Sequence, residues 1–308
     1  MTYILPILPV LLLFLLGYSL QKTRFFTEAS VADVKKIVSN IALPALLFQA
    51  FASIKIELGY LLLVLVVFGA CLSMVFLGKV IARMLRIKSP YFALMMGGFE
   101  MGMLGYALFL SFYGEQHLGK IALVDLGQVL FVFFVLMALL IRERDGVQST
   151  AMLLRQFITS PVILAILAGL LASLIGPLVT VGPVLDTLGR FVSMVASLTV
   201  PLIAITIGYG IHIKREGLLL SLKTIVVRKV LLIIIALAIN HFLIDAVLHM
   251  DAMYRYALLV MFLTPPPFVI SIYMAQDDRQ EADYVANTLS LDTLISVLMV
   301  VVAAAVYV

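Results

Sequence analysis

Charge is scarce in this chain. Only 12% of its 308 residues are Asp, Glu, Lys or Arg, where a soluble domain carries about a quarter. That excludes a solvated surface for most of the polypeptide. Hydrophobic residues make up 64%, and the mean hydropathy is +1.18. Most side chains must face lipid or other helices, so the sequence reads as a polytopic membrane protein. Cysteine is nearly absent: the single Cys71 cannot close an intrachain disulfide and reads as a small buried apolar residue. No phosphate loop ending in G-K-[ST] and no H-E-x-x-H occurs. ATP therefore does not drive the protein by itself, and zinc proteolysis is not expected. The first twenty residues lack a basic stretch and an A-x-A-like site, so they read as a first span, not a cleaved signal. Connections between apolar runs are short and leave no room for a separate soluble domain. The net charge of +4 comes from residues in those connections, and no nucleic-acid partner is expected.

A bilayer core of about 30 Å takes about 20 apolar residues as a helix. Ten runs of that kind lie near 3–20, 31–52, 58–84, 90–113, 117–141, 150–175, 183–211, 218–248, 253–275 and 283–306. Of the 21 lysines and arginines, only Lys55, Lys120, Arg190 and Arg255 fall on the even-numbered connections and their flanks. The rest, Arg228 and Lys229 among them, crowd the odd ones. Positive-inside bias then predicts a multi-pass protein of the inner (plasma) membrane with both termini on the outer side. The expected fold is all-α, with ten transmembrane helices in two five-helix halves. An odd count per half makes the halves opposite in orientation, as in an inverted repeat. Pro44 and Pro201 stand at comparable places in spans two and seven.

The stretch Met261 to Ala275 reads MFLTPPPFVISIYMA. Pro265, Pro266 and Pro267 supply no backbone N–H, and their rings clash with the preceding turn, so a continuous helix cannot pass. Backbone interrupted at membrane depth is tolerated only inside protein or beside a polar cavity. Span four, the counterpart of span nine, has Gly97, Gly98, Gly102 and Gly105. Alone these would mean close helix packing. Matched with the triple proline, they point to a second interrupted span, and such a pair is a sequence pointer to a transporter site.

Ionisable residues inside spans are costly and mark function by default. Glu100, Asp125 and Asp292 qualify, with Gln128 one turn from Asp125. These four are the candidate ion-coupling residues, for a proton or a sodium ion held beside unwound carbonyls. The competing reading makes them partners for backbone groups orphaned by the interruptions. No lysine or arginine is expected near the midplane, so helix N-termini near Gly105 and Pro267 would receive an anion. Asn40, Gly102, Gly105, Tyr106, Thr264, Pro265, Pro266, Pro267, Ser271, Asn287 and Thr288 are the candidate substrate-binding residues. His241, Asp245 and His249 share a helix face, but at the outer end of span eight they read as solvated residues, and no metal site is expected.

The segments LPALLF at 43–48, FEMGMLGY at 99–106, LVDLGQ at 123–128, VPL at 200–202, TPPPFVISIYMA at 264–275 and NTLS at 287–290 together resemble the auxin efflux carrier family, in its bacterial, malonate-transporter-like members. The likeness runs through essentially the whole chain. It implies two inverted repeats in which spans four and nine are broken and cross, as in bile-acid/sodium symporters. It implies one membrane transporter over 1–308, with a scaffold of 1–57 and 150–213 and a mobile part of 58–149 and 214–308. It also implies an elevator motion, a small organic anion such as a dicarboxylate or an auxin-like carboxylate as substrate, and a homodimer in the lipid bilayer. Many relatives have proline after Gly105; Tyr106 stands there, so a gentler break is expected. No cofactor is expected beyond a coupling ion. Two other readings stay open: a transporter-fold sensor that binds a carboxylate or sterol-like ligand without flux, and an intramembrane enzyme, for which no catalytic motif surrounds Asp125 or Asp292. Not an enzyme is the expectation.

Overall fold

The structure, a computed structural model, describes residues 8–53, 58–145, 155, 158–175, 182–210, 215–275 and 278–307. Every regular element among them is helical. Helices α1 (Leu8–Lys22), α2 (Glu28–Ile37) and α3 (Leu43–Ala52) come first, α2 and α3 being joined by a π-helical turn, Val38–Ala42. Then follow α4 (Leu58–Met84), α5 (Pro90–Leu94), α6 (Tyr106–Tyr113), α7 (Leu118–Phe131) and α8 (Met137–Asp145). The second half holds α9 (Pro161–Ile175), α10 (Pro183–Ser197), α11 (Thr199–Gly210), α12 (Leu218–Ala238), α13 (Ala252–Leu263), α14 (Val269–Tyr273) and α15 (Arg279–Tyr307). Helix therefore occupies part of each of the ten apolar runs. The beginnings of the runs 3–20 and 150–175, with Lys55 and Lys214, lie outside the described residues.

Among the described residues, four helical stretches are long and apolar enough to cross a membrane: Gly59–Met84, Glu115–Arg144, Pro183–Gly210 and Arg279–Ala305. Shorter apolar helices include Leu11–Lys22, Met101–Tyr113, Pro161–Ile175 and Ala252–Leu263. Leucine and phenylalanine side chains along them are widely exposed, Leu15 at 60% and Phe76 at 67% among them. In water that surface would be a large liability, whereas lipid accepts it.

Two compact units emerge from the packing. The first comprises Met1–Glu57, Gly102–Leu123 and Gln156–Ile211; the second comprises Leu58–Met101, Val124–Arg155 and His212–Val308. Residues 102–123 thus group with the segment expected as scaffold. The first unit packs helix on helix through small residues. A Cβ on Gly17 of α1 would collide with the Ile205 carbonyl of α11, and one on Gly208 of α11 with the Phe14 carbonyl of α1. Such close approach is how helices associate in membranes, where no hydrophobic drive separates lipid from protein. Pro44 is the second residue of α3 and Pro201 the third of α11. Both follow a local irregularity in a helix that continues through them, the π-helical turn Val38–Ala42 before Pro44 and the turn at Leu198 before Pro201.

The second unit contains both interruptions. In span nine, α13 ends at Leu263 and α14 begins at Val269, with Thr264 to Phe268 non-helical. In span four, α5 ends at Leu94, and helical structure resumes only at Met101. The interruption is complete, not gentle, and it falls earlier than expected. Gly105 closes a π-helical turn, Met101–Gly105, that leads into α6 without a break. The chain instead turns at Gly98, whose φ of +77° is open to glycine and strained for other residues. A proline after Gly105 is therefore not needed to interrupt this span.

Candidate functional site

Three consecutive prolines leave the chain without a donor from 265 to 267, so Phe268 offers the first N–H after the interruption. Glu100 takes it: Phe268 N donates to Glu100 Oε2 at 2.6 Å. The Glu100 N–H in turn donates to Pro265 O at 2.9 Å. The two interruptions are thus fastened to each other by a reciprocal pair of bonds. A Cβ at Gly98 would come within 2.9 Å of Pro267 Cγ, so the same glycine that makes the turn admits the proline ring. Next to it, Phe99 N donates to Gln128 Oε1 at 3.4 Å, and the Phe99 ring packs on Phe262 at 4.6 Å.

Interruption also orphans carbonyls. The last C=O groups of a helix have no partner within it and carry partial negative charge. Left buried and unbonded, each costs about 1–3 kcal/mol. Two side chains of α12 meet this need. Arg228 is fully buried; its Nη2 donates to Gly98 O at 2.6 Å and to Thr264 O at 3.4 Å, and Nη1 to Met96 O at 3.4 Å. Its guanidinium lies 5.3 Å from the Phe99 ring centre, in cation–π range. Lys229, 5% exposed, donates Nζ to Leu263 O at 2.5 Å and to Thr264 O at 3.1 Å. One guanidinium thereby serves both interruptions, and the neighbouring ammonium serves the end of α13.

Asp292 of α15 balances them. It is fully buried, with Oδ1 2.8 Å from Lys229 Nζ and Oδ2 3.8 Å from Arg228 Nε. Ser296, one turn on, donates to Asp292 Oδ1 at 3.3 Å and accepts from Lys229 at 2.9 Å. A buried cation without a carboxylate is expensive, and an acid at this position removes that cost.

The expectation that no lysine or arginine reaches the interior is overturned. Arg228 and Lys229 lie in mid-α12, not at its basic flank. Their signal was present: Ser221, Thr224 and Arg228 follow at i, i+3 and i+7, a polar stripe on an otherwise apolar helix, and all three are buried.

Of the expected ion-coupling residues, the structure brings Glu100, Gln128 and Asp292 to the interruptions. Asp125, one turn from Gln128 on α7, is buried at 3%. Thr264, Pro265, Pro266 and Pro267 form the interruption itself, and Thr264 Oγ1 donates to Met261 O at 2.7 Å. Ser271 bonds Phe268 O at 2.8 Å, Thr288 bonds Tyr284 O at 2.8 Å, and Asn287 Nδ2 reaches Glu216 O at 2.6 Å. These three hydroxyl or amide groups thus support backbone. Gly102, Gly105, Tyr106 and Asn40 belong to the first unit. Tyr106 is buried there, whereas Asn40 is exposed and donates to Lys36 O of its own helix at 2.9 Å. Asp245 pairs with Arg255 at 3.1 Å. Among the described residues no group of three His, Cys, Asp or Glu is placed to hold a metal.

A second tie joins the start of span four to the end of span nine and to the first turn of α15. Ser89 Oγ donates to Glu281 Oε2 at 2.5 Å, and Ala275 N donates to Tyr91 Oη at 3.0 Å.

Two interrupted helices fastened at their breaks and lined with buried charge are the kind of irregular backbone that helical membrane transporters carry at their centre. Comparison with known families agrees. Residues 2–148 match the model of a family described as membrane transport protein, which is of auxin efflux carrier type. The match bears out the resemblance through the segments at 43–48, 99–106 and 123–128. The match covers just under half of the chain, and together with the apolar helices it supports a multi-pass membrane protein similar to a family of membrane transport proteins. No curated protein matches the chain.

Proposed function

We propose that the protein is a secondary active transporter that moves a small organic anion, of dicarboxylate type, across the membrane. The observation that carries this reading is the reciprocal bond pair between Glu100 and the Pro265–Phe268 segment. Evolved backbone interruptions are costly, and two of them joined at one place serve a site better than they serve stability. In this reading the ten helices form two inverted repeats whose spans four and nine cross at this point. The part formed by 58–149 and 214–308 travels, elevator fashion, against that of 1–57 and 150–213, and two copies pair in the bilayer. The anion draws on N–H groups at the interruptions, while Glu100 and Asp125 are the groups through which a gradient acts.

The test is transport itself. Purified protein in liposomes is given labelled malonate-type dicarboxylates, with and without sodium and pH gradients. Substrate-specific, saturable uptake is expected. Absence of flux for every carboxylate under every gradient would remove the reading, and saturable binding without flux would turn it into that of a receptor.

A further inference from the structure

The surroundings of Lys229 Nζ are unusual for a lysine. Four oxygens ring it: Leu263 O at 2.5 Å, Asp292 Oδ1 at 2.8 Å, Ser296 Oγ at 2.9 Å and Thr264 O at 3.1 Å. An ammonium has only three N–H donors. The cage thus offers more oxygens than the lysine has protons, and it mixes carbonyl, carboxylate and hydroxyl donors. That is the all-oxygen donor set a hard cation takes, with one carboxylate oxygen, Asp292 Oδ1, turned to the cage while Oδ2 faces Arg228. The two carbonyls stand at the C-terminal end of α13 (Leu263) and one residue beyond it, where the helix dipole adds to the attraction. The stem of Lys229 enters this cage from α12, so the charge cannot leave.

We infer that this cage is a monovalent-cation site permanently filled by the Lys229 ammonium, a tethered replacement for a free ion. Sodium is then neither bound there nor needed. Shortening the side chain opens the cage to sodium or to a small alkylammonium ion. The bearing on coupling rests on the transport reading; the site itself is tested without transport.

The probe is thermal melting of the purified protein in detergent, in chloride salts of choline, sodium and methylammonium at equal ionic strength. Wild type is expected to melt at one temperature in all three. Lys229→Ala is expected to melt lower in choline and to regain several degrees in sodium or methylammonium, because a ligand that binds only the folded state stabilises it. Lys229→Met, which fills the space with an apolar chain, is expected to show no such recovery. If Lys229→Ala does not accumulate, Lys229→Ser carries the same arm. A wild type that melts higher in sodium than in choline overturns the inference, as does Lys229→Ala without any cation response, or Lys229→Met with the same response as Lys229→Ala. Failure to detect flux removes the proposed function and leaves these melts to decide the site.

Discussion

The two units solve the problem of packing in a membrane in opposite ways. In the first, the buried polar residues are Thr199 and Thr206, two hydroxyls, among the described residues. Its helices touch backbone to backbone at Gly17 and Gly208. In the second, Glu100, Asp125, Arg228, Lys229, Asp283 and Asp292 are all buried. Regular helices satisfy their own backbone and need only shape from their neighbours. Interrupted helices expose carbonyls and amides, and charged side chains are the strongest partners available for them. The buried charge of Glu100, Arg228, Lys229 and Asp292 is therefore a consequence of broken backbone. It is also what makes the second unit sensitive to substitutions that the first would not notice.

The sharpest way to break this contrast is at Asp292. Asp292→Ala leaves Lys229 and Arg228 buried without a carboxylate, and removing one member of a buried pair costs about 3–5 kcal/mol. A large drop in melting temperature in detergent is expected. The double variant Lys229→Met with Asp292→Leu is expected to recover part of the loss, since only Arg228 is then left without a carboxylate; equal melting of single and double would show that the Lys229 charge is not the cause. In the first unit the counterpart is Gly208→Ala, which sets a methyl group against the Phe14 carbonyl. Overpacking of that kind costs about 1–3 kcal/mol, while uptake per folded molecule is expected to stay unchanged. Glu100→Gln keeps an oxygen for Phe268 N–H and loses the charge, worth about 1 kcal/mol of stability. Gradient-driven uptake is nevertheless expected to be lost; intact coupling would return Glu100 to a purely structural part. The smallest effect belongs to Asn40→Ala, at an exposed amide bonded to its own helix. A change within about 0.5 kcal/mol is expected, with unaltered uptake.

Much of this was legible in the residues alone, for physical reasons. The triple proline fixes an interruption because the chemistry of proline allows nothing else. Glu100 and Asp292 stand out because an acid in an apolar run has few uses. The interruption in span four was legible only as a region. Four glycines share it, and which of them takes a positive φ depends on where the Pro267 ring arrives, a contact made across some 170 residues. Arg228 and Lys229 were hidden by a competing rule. Basic residues within reach of a cytoplasmic loop count toward topology, and these two lie only about 15 Å along α12 from its start, at 1.5 Å per residue. Here the carbonyls of two interruptions draw them inward; α12 by itself shows only the polar stripe of Ser221, Thr224 and Arg228, not the carbonyls that the stripe meets.

The bonds from Ser89 and Tyr91 to Glu281 and Ala275 have a mechanical consequence. A single fastening between two rods is a pivot, about which either can swing. A second fastening at a distance turns the pivot into a brace. The segments Ser89–Glu100 and Pro265–Ala275 are pinned at their interruptions and again at Tyr91 and Ala275, and beside that second point Ser89 is tied to Glu281 of α15. A force that displaces one of them is therefore passed to the other as translation, and rotation between them requires both sets of bonds to give way together.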